Sequence, residues 1–264
     1  MPKISILFPV YNEKLEYLTP ALESIANQTF KDFELLILDD SSSEETIRIL
    51  DDFSKRDSRA VVFRRNGSRG ITSALNIGIK LAKGEYIVRA DSDDVQTLDR
   101  LEKLLTYFSN HPEIEVLGSA VSKIDAGGNV TGVRLYPLSY GQIVKTSCIK
   151  NPMAHPTVMI RKSTLIKHGG YDESFSSAED YELWCRLISN QVKLANTEDP
   201  LVFYRLPPFE KRFKSHNWRN NLRVKLKYFS LSHFVLRIFG ILSIIFYMIV
   251  PLKVRETLHD LYNK

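Results

Sequence analysis

The chain has 264 residues, 44% hydrophobic and 25% charged, enough for one large globular domain, alone or with an appendage. Its two cysteines, Cys148 and Cys185, lack C-x-x-C spacing, which argues against a disulfide framework or a zinc site and predicts two buried thiols. The net charge of +5 is uneven: ten Lys and Arg and no Asp or Glu lie between Lys211 and Arg255, leaving the remainder at −5.

The N-terminus lacks the basic stretch and small-residue cleavage site of a secretory signal, so the chain is expected to stay inside the cell. Residues 4–10 form an apolar run that reads as a buried strand. Leu15, Leu18, Leu22 and Ile25 recur every three or four positions and predict an amphipathic helix over 15–27. A second strand follows over 33–38. Ser42 and Glu45, in capping-box spacing, open a helix through Ile47, Leu50 and Phe53. A strand over 60–63, a polar loop over 64–70, a helix over 71–81 and a strand over 86–90 complete an α/β pattern with a mostly parallel, Rossmann-like sheet. The second half is less periodic. Strands are expected over 116–121 and 157–160, a hairpin turn over 125–129, and a helix over 180–189 with Trp184 and Leu187 inward.

In open α/β sheets, ligands bind beyond the carboxyl ends of the strands. Three polar clusters fall there: Tyr11, Asn12 and Glu13 after the first strand, Asp39, Asp40 and Ser41 after the second, and Asp91, Ser92, Asp93 and Asp94 after the fourth. Two carboxylates separated by one residue at a strand end can hold a hard divalent cation such as Mg²⁺ or Mn²⁺, whose shell is completed by phosphate and water. A solvated acidic turn or a helix cap is the plainer reading of an isolated D-x-D.

The series SILFPVYNE, NQTFKDFELLILDDSS, RNGSRGITSALNIGIKLAKGEYIVRADSDD and EDYELWCRL, with the block HPTVMIRKSTLIKHGGYDE before the last, occurs in that order within residues 3–206. It resembles the large family 2 of inverting glycosyltransferases with the GT-A fold. The resemblance implies that Pro9, Tyr11 and Glu13 line a nucleotide-sugar pocket, with the Tyr11 ring near the base. Asp40 would accept a hydrogen bond from uracil N3–H, and Asp39 would brace the loop. Arg69 would approach the diphosphate or base edge, Asp91 with Ser92 would lie toward the ribose, and Asp93 would hold the metal. Asp180 would be the base that takes the acceptor's proton, with a helix-capping acid as the alternative. On the acceptor or phosphate side stand Glu179, His155 and Trp184. His155, fixed between Pro152 and Pro156, also reads as a satisfied structural histidine, and Trp184 also reads as core. Gly169 and Gly170 read as a turn beside the sugar or as a helix C-cap.

Residues 234–252, FVLRIFGILSIIFYMIVPL, are apolar but for Arg237 and end near Pro251. About 20 apolar residues span a bilayer, yet the internal Arg237 favours an in-plane amphipathic anchor over a spanning helix, with a dimer interface as the third reading. Lys211, Arg212, Lys214, Arg219, Arg223, Lys225 and Lys227 would meet anionic head groups, each contributing on the order of 1 kcal/mol. The expected layout is a transferase domain over 1–210, with its nucleotide half ending near 95 and its acceptor half over 96–210, followed by a basic, apolar helical extension over 211–264. The resemblance and the tail together imply sugar transfer from a UDP-sugar to a lipid-linked glycan at the cytoplasmic face of the plasma membrane, in bacterial surface-polysaccharide assembly. A protein or a polyprenyl phosphate is the alternative acceptor, and no nucleic-acid partner is expected. A nicotinamide-binding enzyme would need G-x-G-x-x-G where Pro9, Val10, Tyr11, Asn12 and Glu13 stand.

Overall fold

The computed structural model describes residues 1–65, 70–206, 215–251 and 254. Strand β1 (Ile4–Val10) leads through helix α1 (Leu15–Ala26) to β2 (Phe33–Asp39), α2 (Glu44–Arg56), β3 (Ala60–Arg64), α3 (Ile71–Leu81) and β4 (Tyr86–Arg89). The order β3-β2-β1-β4 is parallel throughout. Both faces of its central strands β1 and β2 are covered, so these are apolar runs broken only by Ser5, Glu34 and Asp39. Ile4, Ile6, Phe8 and Val10 pack with Leu18, Leu22 and Ile25 on one side. Leu7, Leu36 and Leu38 pack with Leu75 and Ile79 on the other. Helix α3 lies so close that a Cβ added at Gly78 would sit 2.8 Å from Leu7. The N-cap of α2 is Ser43, whose Oγ accepts the Thr46 N–H, and not Ser42. The Ser42 N–H and hydroxyl are instead engaged by Asn12.

The second half holds more elements than its patterning predicts. They are β5 (Val95–Gln96), α4 (Arg100–Asn110), β6 (Val116–Ile124), β7 (Val130–Arg134), α5 (Tyr140–Ser147), a 3₁₀ turn (His155–Thr157), β8 (Met159–Arg161), α6 (Lys162–Lys167), α7 (Glu179–Ser189) and β9 (Leu194–Arg205). The sheet continues from β4 as β8-β6-β9-β5, with β7 in a hairpin on β6. Antiparallel β8, β5 and β7 interrupt the parallel pattern, which resumes only in the pairing of β6 with β9. The strand expected over 157–160 begins later, at Met159, because His155–Thr157 form a 3₁₀ turn. Gly169 and Gly170 have φ of 81° and 66°, and their N–H groups bond back to Ile166 and Leu165, so they form the C-cap of α6. Cys148 and Cys185 are buried free thiols. Trp184 and Leu187 are fully buried. Trp184→Ala should cost about 3–5 kcal/mol of stability, read as a lowered denaturation midpoint.

Helices α8 (Ser215–Lys227) and α9 (Phe234–Ile249) follow β9 and pack on each other, with α8 against α7. No described helix is long and apolar enough to cross a membrane. Three side chains of the basic run have partners within the protein, and burial removes Lys225 from the expected head-group contacts. Lys225 is buried, Lys227 pairs with Asp172 and Glu182, and Arg223 donates to Ser174. These three serve the protein's own surface, while Lys211, Arg212 and Lys214 lie outside the described residues.

Candidate active site

Because β1, β2 and β4 run parallel, their carboxyl ends reach one edge of the sheet. A cleft of about 370 Å³ opens there, lined by Pro9, Val10, Tyr11, Glu13, Leu38, Asp40, Gly70, Ile71, Ala74, Arg89, Asp91 and Ser92. Asn12 takes a left-handed backbone, φ 49°. Its Oδ1 accepts from the N–H groups of Ser42 and Ser43 at 2.8 and 2.9 Å. Asp39, fully buried, accepts from the Ser41 N–H and from Arg64 Nε, both at 2.9 Å. The loop after β2 is thus pinned from both sides, and Asp40 is left at the cleft. The β2–β3 register pairs Asp39 with Arg64, which places Arg65 beside Asp40. Arg65 Nε donates to Asp40 Oδ1 at 2.5 Å, and its Nη2 donates to Oδ2. Arg65 is the arginine the sequence reading missed, and Arg69 lies outside the described residues. The first turn of α3 carries no acid and no side-chain cap, so the positive end of its dipole borders the cleft.

A second pocket of about 440 Å³ shares Ile71, Arg89 and Asp91 with the first and adds Asn151, His155, Ser176, Ser177, Glu179, Asp180 and Tyr204. Asp180 stands in the first turn of α7. Asn151 Nδ2 donates to its Oδ2 at 2.6 Å, and the Tyr181 N–H to its Oδ1 at 2.7 Å. One carboxylate therefore serves the helix terminus and faces the pocket, so the capping reading and the chemical one do not compete. His155 is buried, with Nε2 2.9 Å from the Tyr171 hydroxyl and Nδ1 3.9 Å from Glu179. Trp184 has no exposed surface, and its ring centroid lies 6.3 Å from that of His155. Its place is in the core beneath the pocket, which overturns the acceptor-platform reading.

The family model described as glycosyl transferase family 2 matches residues 5–170. The chain belongs to this family. An O-antigen biosynthesis glycosyltransferase of Escherichia coli is 30% identical over 239 residues, 89% of this chain and 88% of that protein. An Escherichia coli UDP-Gal:alpha-D-GlcNAc-diphosphoundecaprenol beta-1,3-galactosyltransferase is 28% identical over 202 residues, 76% of this chain and 72% of that protein. A mannosyltransferase from Pyrobaculum calidifontis in complex with GDP-Man and Mn²⁺ shares the fold. The TM-score is 0.69 at 14% identity, over 98% of this chain and 79% of that one. The GT-A type of mixed α/β fold is therefore the fold of this glycosyltransferase.

Electrostatics distinguish the acids of the glycosyltransferase. Asp91 is paired with the nearly fully buried Arg89. Asp93 is pushed up to about 7, by burial first and then by the charges of Asp91 and Glu13. Asp94, raised by burial and then by the charges of Asp91 and Asp93, accepts the Arg205 N–H at 2.7 Å and braces the turn. Among the described residues no group of three or more ligating side chains forms a metal cage. The donor set fits a hard cation held by one or two carboxylates, because Asp91, Asp93 and Glu13 concentrate negative charge that such an ion relieves. Glu179 is raised to about 7 by burial and by Asp180. Burial also raises Asp180, against the hydrogen bonds from Asn151 and Tyr181. His155 is held well below its usual value by burial and by Arg89, so it stays neutral. Arg89 had a sequence signal, a charge inside a four-residue buried strand. Asn151 and Tyr204 had none, since nothing local distinguishes a pocket-lining loop asparagine or strand tyrosine.

Proposed function

We propose that the chain transfers a sugar, with inversion, from a UDP-sugar to a hydroxyl of a lipid-linked glycan during bacterial surface-polysaccharide assembly. The observation that carries the reading is the shared wall of Arg89 and Asp91, across which the Tyr11–Asp40 cleft and the Asp180 pocket meet. The relatives named for O-antigen biosynthesis and for a UDP-Gal donor with a diphosphoundecaprenol-linked acceptor support it. In this reading Tyr11 and Pro9 hold the base, the Asp40–Arg65 pair reads its edge, and Asp91 with Ser92 orients the ribose. Asp93, with Asp91 beside it, would hold Mg²⁺ or Mn²⁺, which when bound neutralises the diphosphate. Asp180 takes the proton of the acceptor hydroxyl as that oxygen attacks the anomeric carbon opposite the leaving nucleoside diphosphate. Neutral His155 and Glu179 border the acceptor. Calorimetry with a panel of nucleotide sugars, with and without Mn²⁺, tests the donor. A GDP- or CMP-sugar bound in preference to every UDP-sugar would overturn the UDP assignment.

The layout of a transferase domain over 1–210 and an associating tail over 211–264 belongs to this proposal, as does the cytoplasmic face of the membrane. Support comes from α9, where Val235, Phe239, Leu242, Phe246 and Ile249 are all more than half exposed at spacings of three and four. That is one apolar helix face of the kind that beds into a lipid interface. Changing Phe239 and Phe246 together to Glu should abolish co-sedimentation with anionic vesicles while leaving donor binding intact. Undiminished pelleting would remove the anchor.

A further inference from the structure

Lys225 is a lysine where an apolar residue would be the cheaper choice. It sits in α8 with 6% of its surface exposed. Its Nζ bonds to the carbonyl of Cys148 at 2.9 Å, to that of Ile149 at 2.8 Å and to the Tyr181 hydroxyl at 3.0 Å. An ammonium has three donors, and each has one acceptor here, none of them a carboxylate. Burying a cation without a counter-charge is costly, and burial draws this ammonium down to about 8. An arrangement retained against that cost should be holding something.

What it holds is the seat of Asp180. Cys148 and Ile149 follow the last turn of α5, where carbonyls lack helical partners and a cation is favoured. Two residues further on, Asn151 donates to Asp180. On the other side, Tyr181 adjoins Asp180 in α7, and its hydroxyl donates to the Ser147 carbonyl at 2.5 Å. Lys225 therefore touches both segments that meet in the Asn151–Asp180 hydrogen bond. Helix α9 closes on the same point. A Cβ at Gly240 would lie 2.1 Å from the Cys148 oxygen and 3.0 Å from Lys225 Nζ, so only glycine allows this approach.

We propose that the α8–α9 hairpin is an integral part of the acceptor side, with Lys225 as the positioning residue that fixes the Asn151 loop against α7 and so aims Asp180. The inference rests on the reading of Asp180 as the base. The helix that carries the exposed apolar row is thereby packed directly against the loop that supplies Asn151, and the tail is more than a tether.

The test uses the full chain and compares Lys225→Met, Gly240→Ala and Asp180→Asn by transfer kcat and by calorimetric donor affinity. A misplacement of about 1 Å can cost about 100-fold in rate. Lys225→Met is thus expected to lose roughly 10- to 100-fold in kcat with donor affinity unchanged. Gly240→Ala, which keeps the ammonium but presses on the Cys148 carbonyl, should show the same split and supplies the answer if Lys225→Met does not fold. Full turnover in either soluble variant overturns the inference, as does a parallel loss of kcat and donor affinity, which is general damage. If Asp180→Asn is inactive while Lys225→Met is fully active, only the positioning role falls. If Asp180→Asn is fully active, the base reading falls first.

Discussion

Asp180→Asn is expected to bind donor normally and to lose about 10²–10⁴-fold in transfer rate, the usual contribution of a positioned general base. The amide is isosteric and keeps an oxygen for the Tyr181 N–H, so the first turn of α7 should persist. What it lacks is a lone pair basic enough to take the acceptor's proton. The same residue sets a pH limb. Burial raises the Asp180 carboxyl above the ordinary range, and only its ionised form can accept a proton. Turnover should therefore fall on acidification through that raised value and recover on return to higher pH. Single-turnover rates measured with donor and a lipid-linked acceptor decide the point. A variant that turns over at the wild-type rate would move the base elsewhere in the pocket.

Asp93→Ala should remove the metal dependence of donor binding. In the protein as it stands, Mn²⁺ is expected to tighten binding of the nucleotide sugar, because Asp91, Asp93 and Glu13 crowd negative charge that, in the proposed reading, adjoins the donor's diphosphate. Without the Asp93 carboxylate, donor affinity should be the same with and without Mn²⁺. The rate should fall on the order of 10²-fold or more, since Lewis-acid stabilisation of a departing phosphate amounts to several kcal/mol. Calorimetric titration of UDP-sugar with Mn²⁺ or with chelator measures the first effect independently of turnover. Metal-enhanced binding that survives in Asp93→Ala would place the ion on other ligands.

The first half of the chain was open to reading in one dimension because its physics is local. Ile4 to Val10 are buried on both faces, so the run is apolar but for Ser5, whose hydroxyl donates to Glu34, and Leu18, Leu22 and Ile25 mark the face of α1 that meets it. The acids that follow β1, β2 and β4 could be assigned to one edge because parallel strands necessarily end on the same side. Pro9, Tyr11, Glu13, Asp40, Asp91 and Ser92 do share one cleft. The second half resisted such reading. Its strands mix parallel and antiparallel neighbours, and a charge there has no signature of its fate. Lys225 and Lys227 look alike in the sequence, yet one is sealed beneath α9 and the other bridges Asp172 and Glu182.

By itself, then, the order of residues determined the α/β alternation and the sheet edge that Tyr11, Glu13, Asp40 and Asp91 share, since both follow from periodicity and strand direction. Tertiary structure alone decided which arginine faces Asp40, that Trp184 lies under the pocket, that a loop asparagine reaches Asp180, and that a helical lysine meets the Cys148 and Ile149 carbonyls. Those pairings join residues 25 to 77 positions apart in the chain, and only the packing of separate elements brings such residues within hydrogen-bonding reach.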